Sequence, residues 1–207
     1  MTIKCLSSGL LQSNVYVVSK DGEGVVIDCG CPPELLLDYA KGYNINIRHV
    51  ILTHGHFDHI YYIDKFRQMA DVQVHIHQND SECLSDTQKN GLAHFPVQGF
   101  STFSPADNIL TDGDEINVSN LTFKIIHTPG HTKGGICILV EDALFSGDTL
   151  FKLSVGRTDF PGGSLDELMM SIKEKLYSLP NDTTVYPGHG DITTIGFEKT
   201  HNPFCRV

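Results

Sequence analysis

Thr53-His54-Gly55-His56-Phe57-Asp58-His59 places three imidazoles and one carboxylate within six positions. Neutral imidazole nitrogen and carboxylate oxygen both ligate zinc, and they also suit iron and manganese. In extended backbone His54 and His56 point the same way, so both can reach one ion. Asp58 and His59 fall where the chain turns into a helix and can reach a second ion beside it. Gly55 keeps the turn narrow, because no β-carbon blocks the approach.

Three later turns have the same character. Thr128-Pro129-Gly130-His131-Thr132, Asp148-Thr149 and Pro187-Gly188-His189-Gly190 each put one metal-competent side chain beside Gly or Pro, directly after a run of strand type. Five histidines and two aspartates, His54, His56, His59, His131, His189, Asp58 and Asp148, would converge on one edge of the fold. Seven ligands without cysteine exceed one closed tetrahedral structural zinc. They suit two metals with open positions, bridged by water and a shared carboxylate.

Taken singly, residues of these types have plainer roles. Asp148 alone would be a turn or helix cap, and His49, His75, His77, His94, His127 and His201 read as ordinary hydrogen-bonded residues. His75 and His77 alternate on a strand and share a face, but without an acidic partner at matching spacing they are expected on the surface. Independent capping and packing roles would not put the whole set after strands with small neighbours. The six cysteines read as reduced thiols, since a chain with a real core does not need bridges. Cys29 and Cys31 are too close for a zinc knuckle and read as packing residues rather than redox or peripheral metal groups.

The elements that must hold these turns follow from periodicity. Val15–Ser19, Gly24–Asp28, Ile47–Leu52, Val72–His77, Leu121–His127, Gly135–Glu141, Ala143–Gly147 and Thr184–Tyr186 read as strands, with tight turns at Asp21-Gly22 and Glu141-Asp142. Pro33 to Lys41 reads as a helix with proline at its start and Gly42 just past its end. His59 to Ala70 reads as a second helix, with Ile60, Ile63 and Phe66 facing a core. Asp86 to Asp107, with Gly91, Pro96, Gly99 and Pro105, has no clear period and is the expected loop or lid. Ser164-Leu165-Asp166-Glu167 is a capping box, and Leu165, Leu168, Met169, Ile172, Leu176 and Leu179 then repeat at helical spacing. Strands separated by helices imply sheets covered by helices.

Composition narrows the partners. The chain has 207 residues, a formal charge of −10, 40% hydrophobic and 19% charged residues, 11 histidines and no tryptophan. These values describe one soluble domain. No apolar run approaches the roughly 18 residues of a membrane span, and no basic stripe invites nucleic acid. Met1 to Lys20 lacks a continuous apolar core and a small-residue cleavage site, so the expected location is the cytoplasm. Oligomeric state is not legible.

Thr53 to His59, with His131, Asp148 and His189 in order, resembles the metallo-β-lactamase superfamily, and within it the one-domain glyoxalase II-like (hydroxyacylglutathione hydrolase-like) subgroup. The resemblance runs from Asn14-Val15-Tyr16 and Val26-Ile27-Asp28 to Glu198-Lys199-Thr200-His201-Asn202-Pro203-Phe204. It implies an α/β fold, an αββα sandwich of two mixed β-sheets flanked by helices, formed by residues 1–207 as a single domain without the C-terminal helical glutathione-binding extension. It also implies that His54, His56 and His131 hold a first metal, Asp58, His59 and His189 a second, and that Asp148 bridges them. The cofactors would be two divalent ions, zinc first, with iron or manganese also suited. Arg157, in Gly156-Arg157-Thr158-Asp159, sits where the family places a glutathione-binding cation, although an internal ion pair with Asp159 accounts for it equally well.

Neighbouring subfamilies differ at these positions. The best-known dizinc β-lactamases have cysteine in place of Asp148 and no counterpart of His59, flavodiiron proteins have glutamate in place of His56, and the nucleases add a large inserted domain. The resemblance therefore implies a metal-dependent hydrolase of a small-molecule thioester, in which a metal-bridging hydroxide attacks the carbonyl and Asp58 orients or deprotonates the water. A thiolate leaves readily, because thiol pKa values lie near 8.5. Asp28 would be either a partner to a ligand histidine or a strand-end turn residue. Two alternatives remain open. One is a mononuclear-iron persulfide dioxygenase, which the family builds on counterparts of His54, His131 and Asp148, and the other is a hydrolase of lactones or other esters.

Overall fold

Residues 1–95 and 102–207 are described by the structure, a computed structural model. The first half of the chain forms β1 (Thr2–Ser7), β2 (Asn14–Lys20), β3 (Glu23–Ile27), α1 (Pro33–Gly42), β4 (Asn46–Ile51), α2 (Phe57–Ile60), α3 (Ile63–Met69), β5 (Gln73–His77) and β6 (Asn108–Leu110). The second forms β7 (Glu115–Val118), β8 (Leu121–His127), β9 (Ile136–Val140), β10 (Ala143–Gly147), β11 (Leu150–Phe151), β12 (Ser154–Val155), α4 (Leu165–Met170), β13 (Thr184–Pro187), β14 (Thr193–Thr194) and α5 (Ile195–His201).

Successive side chains of a strand point to opposite faces, and here both faces are apolar. In β2, Val15 and Val17 oppose Tyr16 and Val18, and all four are buried. Val26 opposes Val25 and Ile27 in β3, and Leu144 opposes Phe145 in β10. Such strands must lie between two packed layers. One sheet has the order β1-β2-β3-β4-β5-β6, antiparallel as far as β3 and parallel beyond it. The other has the order β14-β13-β10-β9-β8-β7, antiparallel except where β10 meets β13. Tyr16, Val18, Ile27 and Ile51 of the first sheet pack against Phe123, Ile125, Ile138 and Phe145 of the second. Leu36, Ile60, Ile63 and Phe66 cover the outer face of the first sheet, and Leu168, Ile172, Leu176 and Ile195 that of the second. The result is the αββα sandwich of two mixed sheets that the resemblance implied.

Local chemistry accounts for the agreements and the differences. The turn between β2 and β3 has Asp21 at φ +52° and Gly22 at φ +81°, the pair of positive angles that a two-residue hairpin favours. The expected helix from His59 to Ala70 is instead split into α2 and α3. Its backbone groups are captured from elsewhere: Cys29 N donates to His59 O at 2.6 Å, Tyr62 N donates to Cys29 O at 3.1 Å, and Ser13 Oγ donates to Asp58 O at 2.7 Å. An uninterrupted helix would need those same groups for its own ladder. α4 starts at the expected cap, where Ser164 Oγ accepts from Glu167 N at 3.4 Å, but it widens into a π turn over Ser171–Lys175 and tightens to a 3₁₀ turn over Leu176–Ser178. Leu168, Ile172 and Leu176 are four residues apart, and the wider turn keeps all three on the sheet.

In the expected loop, Gly91 at φ +81° starts a 3₁₀ turn over Leu92–His94, while Pro96 and Gly99 lie outside the described residues. Cys29 and Cys31 are fully buried in the helix-side core, and none of the six cysteines is in a disulfide. Among the described residues no helix is long and apolar enough to cross a membrane.

Candidate metal centre

The seven residues singled out in the sequence lie together at one edge of the sandwich. β4 ends at Ile51, and three residues later the chain reaches His54. His56 caps α2 with extended backbone (φ −71°, ψ 145°), and Asp58 and His59 follow in its first turn. His131 lies in the loop after β8, Asp148 directly after β10 and Gly188-His189 directly after β13. β3, β4 and β5 run parallel to one another, as do β10 and β13, which brings these strand ends to the same edge. His189 is also tied across the sandwich, because Tyr16 Oη donates to Pro187 O at 2.6 Å and Asn14 N to Gly188 O at 2.7 Å.

Ring nitrogens and carboxylate oxygens face one another here rather than donors. His56 Nδ1 and His131 Nε2 are 2.8 Å apart, and with His54 they form one group whose ligand atoms all lie within 4.8 Å of one another. Asp58, His59 and His189 form a second such group, with His59 Nε2 3.3 Å from His189 Nε2 and Asp58 Oδ2 3.1 Å from His189 Nε2. Asp148 stands between them. Its Oδ1 lies 3.4 Å from His59 Nε2, and its Oδ2 lies 3.5 Å from His131 Nε2 and 3.7 Å from His189 Nε2.

On three of the rings the other nitrogen is occupied, which sets the orientation of those rings. His59 Nδ1 donates to Asp28 Oδ2 at 2.8 Å, and His131 Nδ1 donates to Arg157 O at 2.7 Å. Thr53 Oγ1 lies 3.0 Å from His54 Nδ1, and Thr53 is itself held by Asp28, whose Oδ1 accepts from Thr53 N at 2.7 Å. Asp28 has φ +62°, so the partner and strand-end turn readings both describe it.

Charge is concentrated in a dry site. Burial works against a cation on His59, but Asp58, Asp148 and Asp28 outweigh it and push the imidazole up to about 10. Burial alone would raise the Asp58 carboxyl, yet His59 and His189 hold it well below the usual carboxylate range. His54 and His56 go the other way, pulled down by burial and then by neighbouring imidazoles, His56 to about 3. They therefore present neutral lone pairs. His54 Nε2 and Asp148 Oδ1 are buried with no hydrogen-bond partner. Unpaired buried acceptors are costly, and a shared cation satisfies both at once. The cluster is able to bind metal, and its nitrogen and oxygen donors suit zinc, iron and manganese alike.

Beside this edge opens a cavity of about 330 Å³, lined by His56, Asp58, His131, Asp148 and His189 and by the apolar side chains of Phe95, Phe151, Val155 and Phe160. Arg157 lines it and at the same time forms a two-pronged pair with Asp159, so the internal ion pair expected from the sequence is realised on the cavity wall itself.

His75 and His77 are not on the surface. Val74 and Ile76 face the helices, so the histidines face the second sheet, where His75 Nε2 lies 3.1 Å from His49 Nδ1 and His77 stacks on His127 with ring centroids 4.0 Å apart. His94 lies parallel to Phe160, and His201 stacks on Phe197. Sequence reasoning passed over Asp80, a buried carboxylate that accepts from Gly55 N at 2.9 Å, Thr132 Oγ1 at 2.7 Å and Gly134 N at 2.7 Å. It lies three residues beyond β5, inside the 3₁₀ turn Gln78–Leu84, whereas Asp148 follows β10 directly, so no strand-end pattern singled it out.

Two helix-covered mixed sheets with a His/Asp cluster at their strand ends define a metalloprotein of the metallo-β-lactamase fold. The chain belongs to the metallo-β-lactamase superfamily, whose family model matches residues 8–189. It is 36% identical to the probable metallo-hydrolase YqgX of Bacillus subtilis, over 95% of this chain and 93% of that protein. It is 31% identical to the hydroxyacylglutathione hydrolase GloC of Haemophilus influenzae, over 99% and 98%. Among solved structures, BLEG-1, described as a B3 metallo-β-lactamase, superposes with a TM-score of 0.93 at 38% identity, covering 98% of this chain and 99% of that one. TTHA1623 in a di-iron-bound form superposes with a TM-score of 0.82 at 32% identity, covering 97% and 99%.

Proposed function

We propose that the protein is a dinuclear metal-dependent hydrolase of small-molecule thioesters, working in the cytoplasm as a single catalytic domain. The observation that carries this is Asp148, whose two oxygens address both groups of converging ligands. His54, His56 and His131 would hold one ion, Asp58, His59 and His189 the other, and Asp148 both. Two divalent cations bound there, zinc by first expectation, would supply the chemistry of an activated water and a polarised carbonyl at neutral pH.

The remaining work falls to the chain. Asp28 and Arg157 O fix the rings of His59 and His131, so the ligand nitrogens need not reorganise. Asp58 lines the cavity as a carboxylate and accepts a hydrogen bond from the attacking water, orienting it or taking its proton. A departing thiolate needs no dedicated acid. The apolar wall of the cavity keeps bulk water away from the reacting carbonyl.

Similarity to a hydroxyacylglutathione hydrolase supports the thioester over other esters. The absence of cysteine at position 148 argues only against the cysteine-bearing β-lactamases, and BLEG-1 carries a lactamase name, so a β-lactam belongs in the test. Natively purified protein should carry about two metals per chain and cleave a thioester faster than a lactone or a β-lactam. One metal at saturation, or oxygen uptake with glutathione persulfide, would overturn the assignment in favour of a mononuclear dioxygenase.

A further inference from the structure

Besides the metal-site residues, the cavity is lined by Leu11, Phe57, Phe95, Phe151, Val155 and Phe160, together with Asn90, Gly91 and Arg157; the Asn90 side chain is already committed to Cys83 O and Leu92 N. Among the described lining residues the sole Lys or Arg is Arg157, and residues 96–101 contain neither in their sequence. The guanidinium of Arg157 is already engaged. Nε and Nη2 each donate to Asp159 at 2.7 Å, and Cζ lies 3.9 Å over the Phe160 ring. Two N–H bonds form a planar fork that matches one carboxylate. A carboxylate arriving with a substrate meets a guanidinium whose charge Asp159 already offsets, so it gains less from Arg157 than it would from an unpaired cation. Elsewhere on the wall it would lose water and meet aromatic rings.

Building on the thioester-hydrolase assignment above, we propose that the preferred substrate is an uncharged thioester with an apolar acyl or aryl group, and that Asp159 sets this preference by neutralising Arg157. An apolar group gains from the same wall that penalises a charge, and a cavity of about 330 Å³ admits one of moderate size. The reaction balances as simple hydrolysis. Water oxygen bonds to the acyl carbon, the C–S bond breaks with its electron pair going to sulfur, and the products are a carboxylic acid and a thiol.

The test compares S-acyl-N-acetylcysteamines of increasing chain length with S-lactoylglutathione, on metal-loaded wild-type protein and on Asp159→Asn. Expected is a kcat/KM that rises about threefold per added methylene until the wall is filled, and that exceeds the value for S-lactoylglutathione about tenfold or more. Asp159→Asn should shift the ratio toward the glutathione conjugate through its KM. Calorimetry with two uncleavable thioethers, S-butyl-N-acetylcysteamine and S-butylglutathione, gives a readout independent of turnover and should favour the former in wild type. A flat chain-length series, tighter binding of S-butylglutathione, or an Arg157→Ala variant that raises KM for S-lactoylglutathione would overturn the proposal. If the metal-loaded protein cleaves no thioester yet still prefers the uncharged thioether, the hydrolase assignment falls and the recognition stands.

Discussion

Asp80 and Asp58 are both buried acids at the metal-binding edge, and their surroundings give them different work. Asp58 lines the cavity and faces His189. Among the described residues Asp80 accepts from Gly55, Thr132 and Gly134, so it clamps the loop bearing His54 and His56 to the loop bearing His131. Asp58→Ala should leave the fold intact, bring the metal content below two per chain and lower kcat by about a hundredfold or more, since it removes both a ligand and the group that orients the water. Circular dichroism alongside steady-state kinetics checks this. Asp80→Ala strands three buried donors at roughly 1–3 kcal/mol each, so it should lower both the denaturant midpoint and the metal content per chain. A fall in activity with midpoint and stoichiometry unchanged would refute the clamp. The ligands were legible because imidazoles and carboxylates that follow strand after strand, each beside Gly or Pro, serve neither packing nor capping as a set. Asp80 was not, because its donors lie far along the chain and two of them are backbone amides.

Strands and helices were legible to the extent that side chains alone determine them. β8 and β10 have the expected bounds because β8 alternates buried apolar with exposed polar residues, β10 is buried throughout, and both end in Gly, Pro or polar turns. β11, β12 and β14 have two residues each, too few for any period to register. The break between α2 and α3 depends on Cys29, a partner that sequence spacing cannot reveal. Gly188 shows how tightly the elements close on the site. A β-carbon there would collide with the Asp148 carboxylate and come within 2.8 Å of the His59 ring, because the turn after β13 packs flat on the end of β10. Gly188→Ala should therefore keep the sheets and lose metal. Far-ultraviolet circular dichroism unchanged from wild type, with stoichiometry below two per chain, is the expected pair of results. Full metal loading would show that the turn can relax.

At the scale of the whole molecule, the two sheets meet over a face that includes His75 and His77, and this ties stability to pH. Burial pulls the His75 imidazole down to about 4, with His49 adding to the effect and Asp107 opposing it. Burial pulls His77 to about 4 as well, helped by His127 and Lys175 and opposed by Asp112 and Asp114. Unfolded imidazoles titrate near 6.5. Between pH ~6.5 and ~4 the unfolded chain therefore binds protons that the folded chain refuses, and stability must fall as pH falls through that window. Above it the contribution is fully present. Alternation placed both residues on one face, but only the second sheet shows that the face is dry. His75→Gln and His77→Gln should each flatten the dependence by roughly 2–3 kcal/mol between the ends of the window, read as the difference from wild type in urea midpoints at matched metal. The metal site is common to both proteins and cancels in that difference. Parallel wild-type and variant curves would place His75 and His77 in contact with water and remove the sheet interface as the source of acid sensitivity.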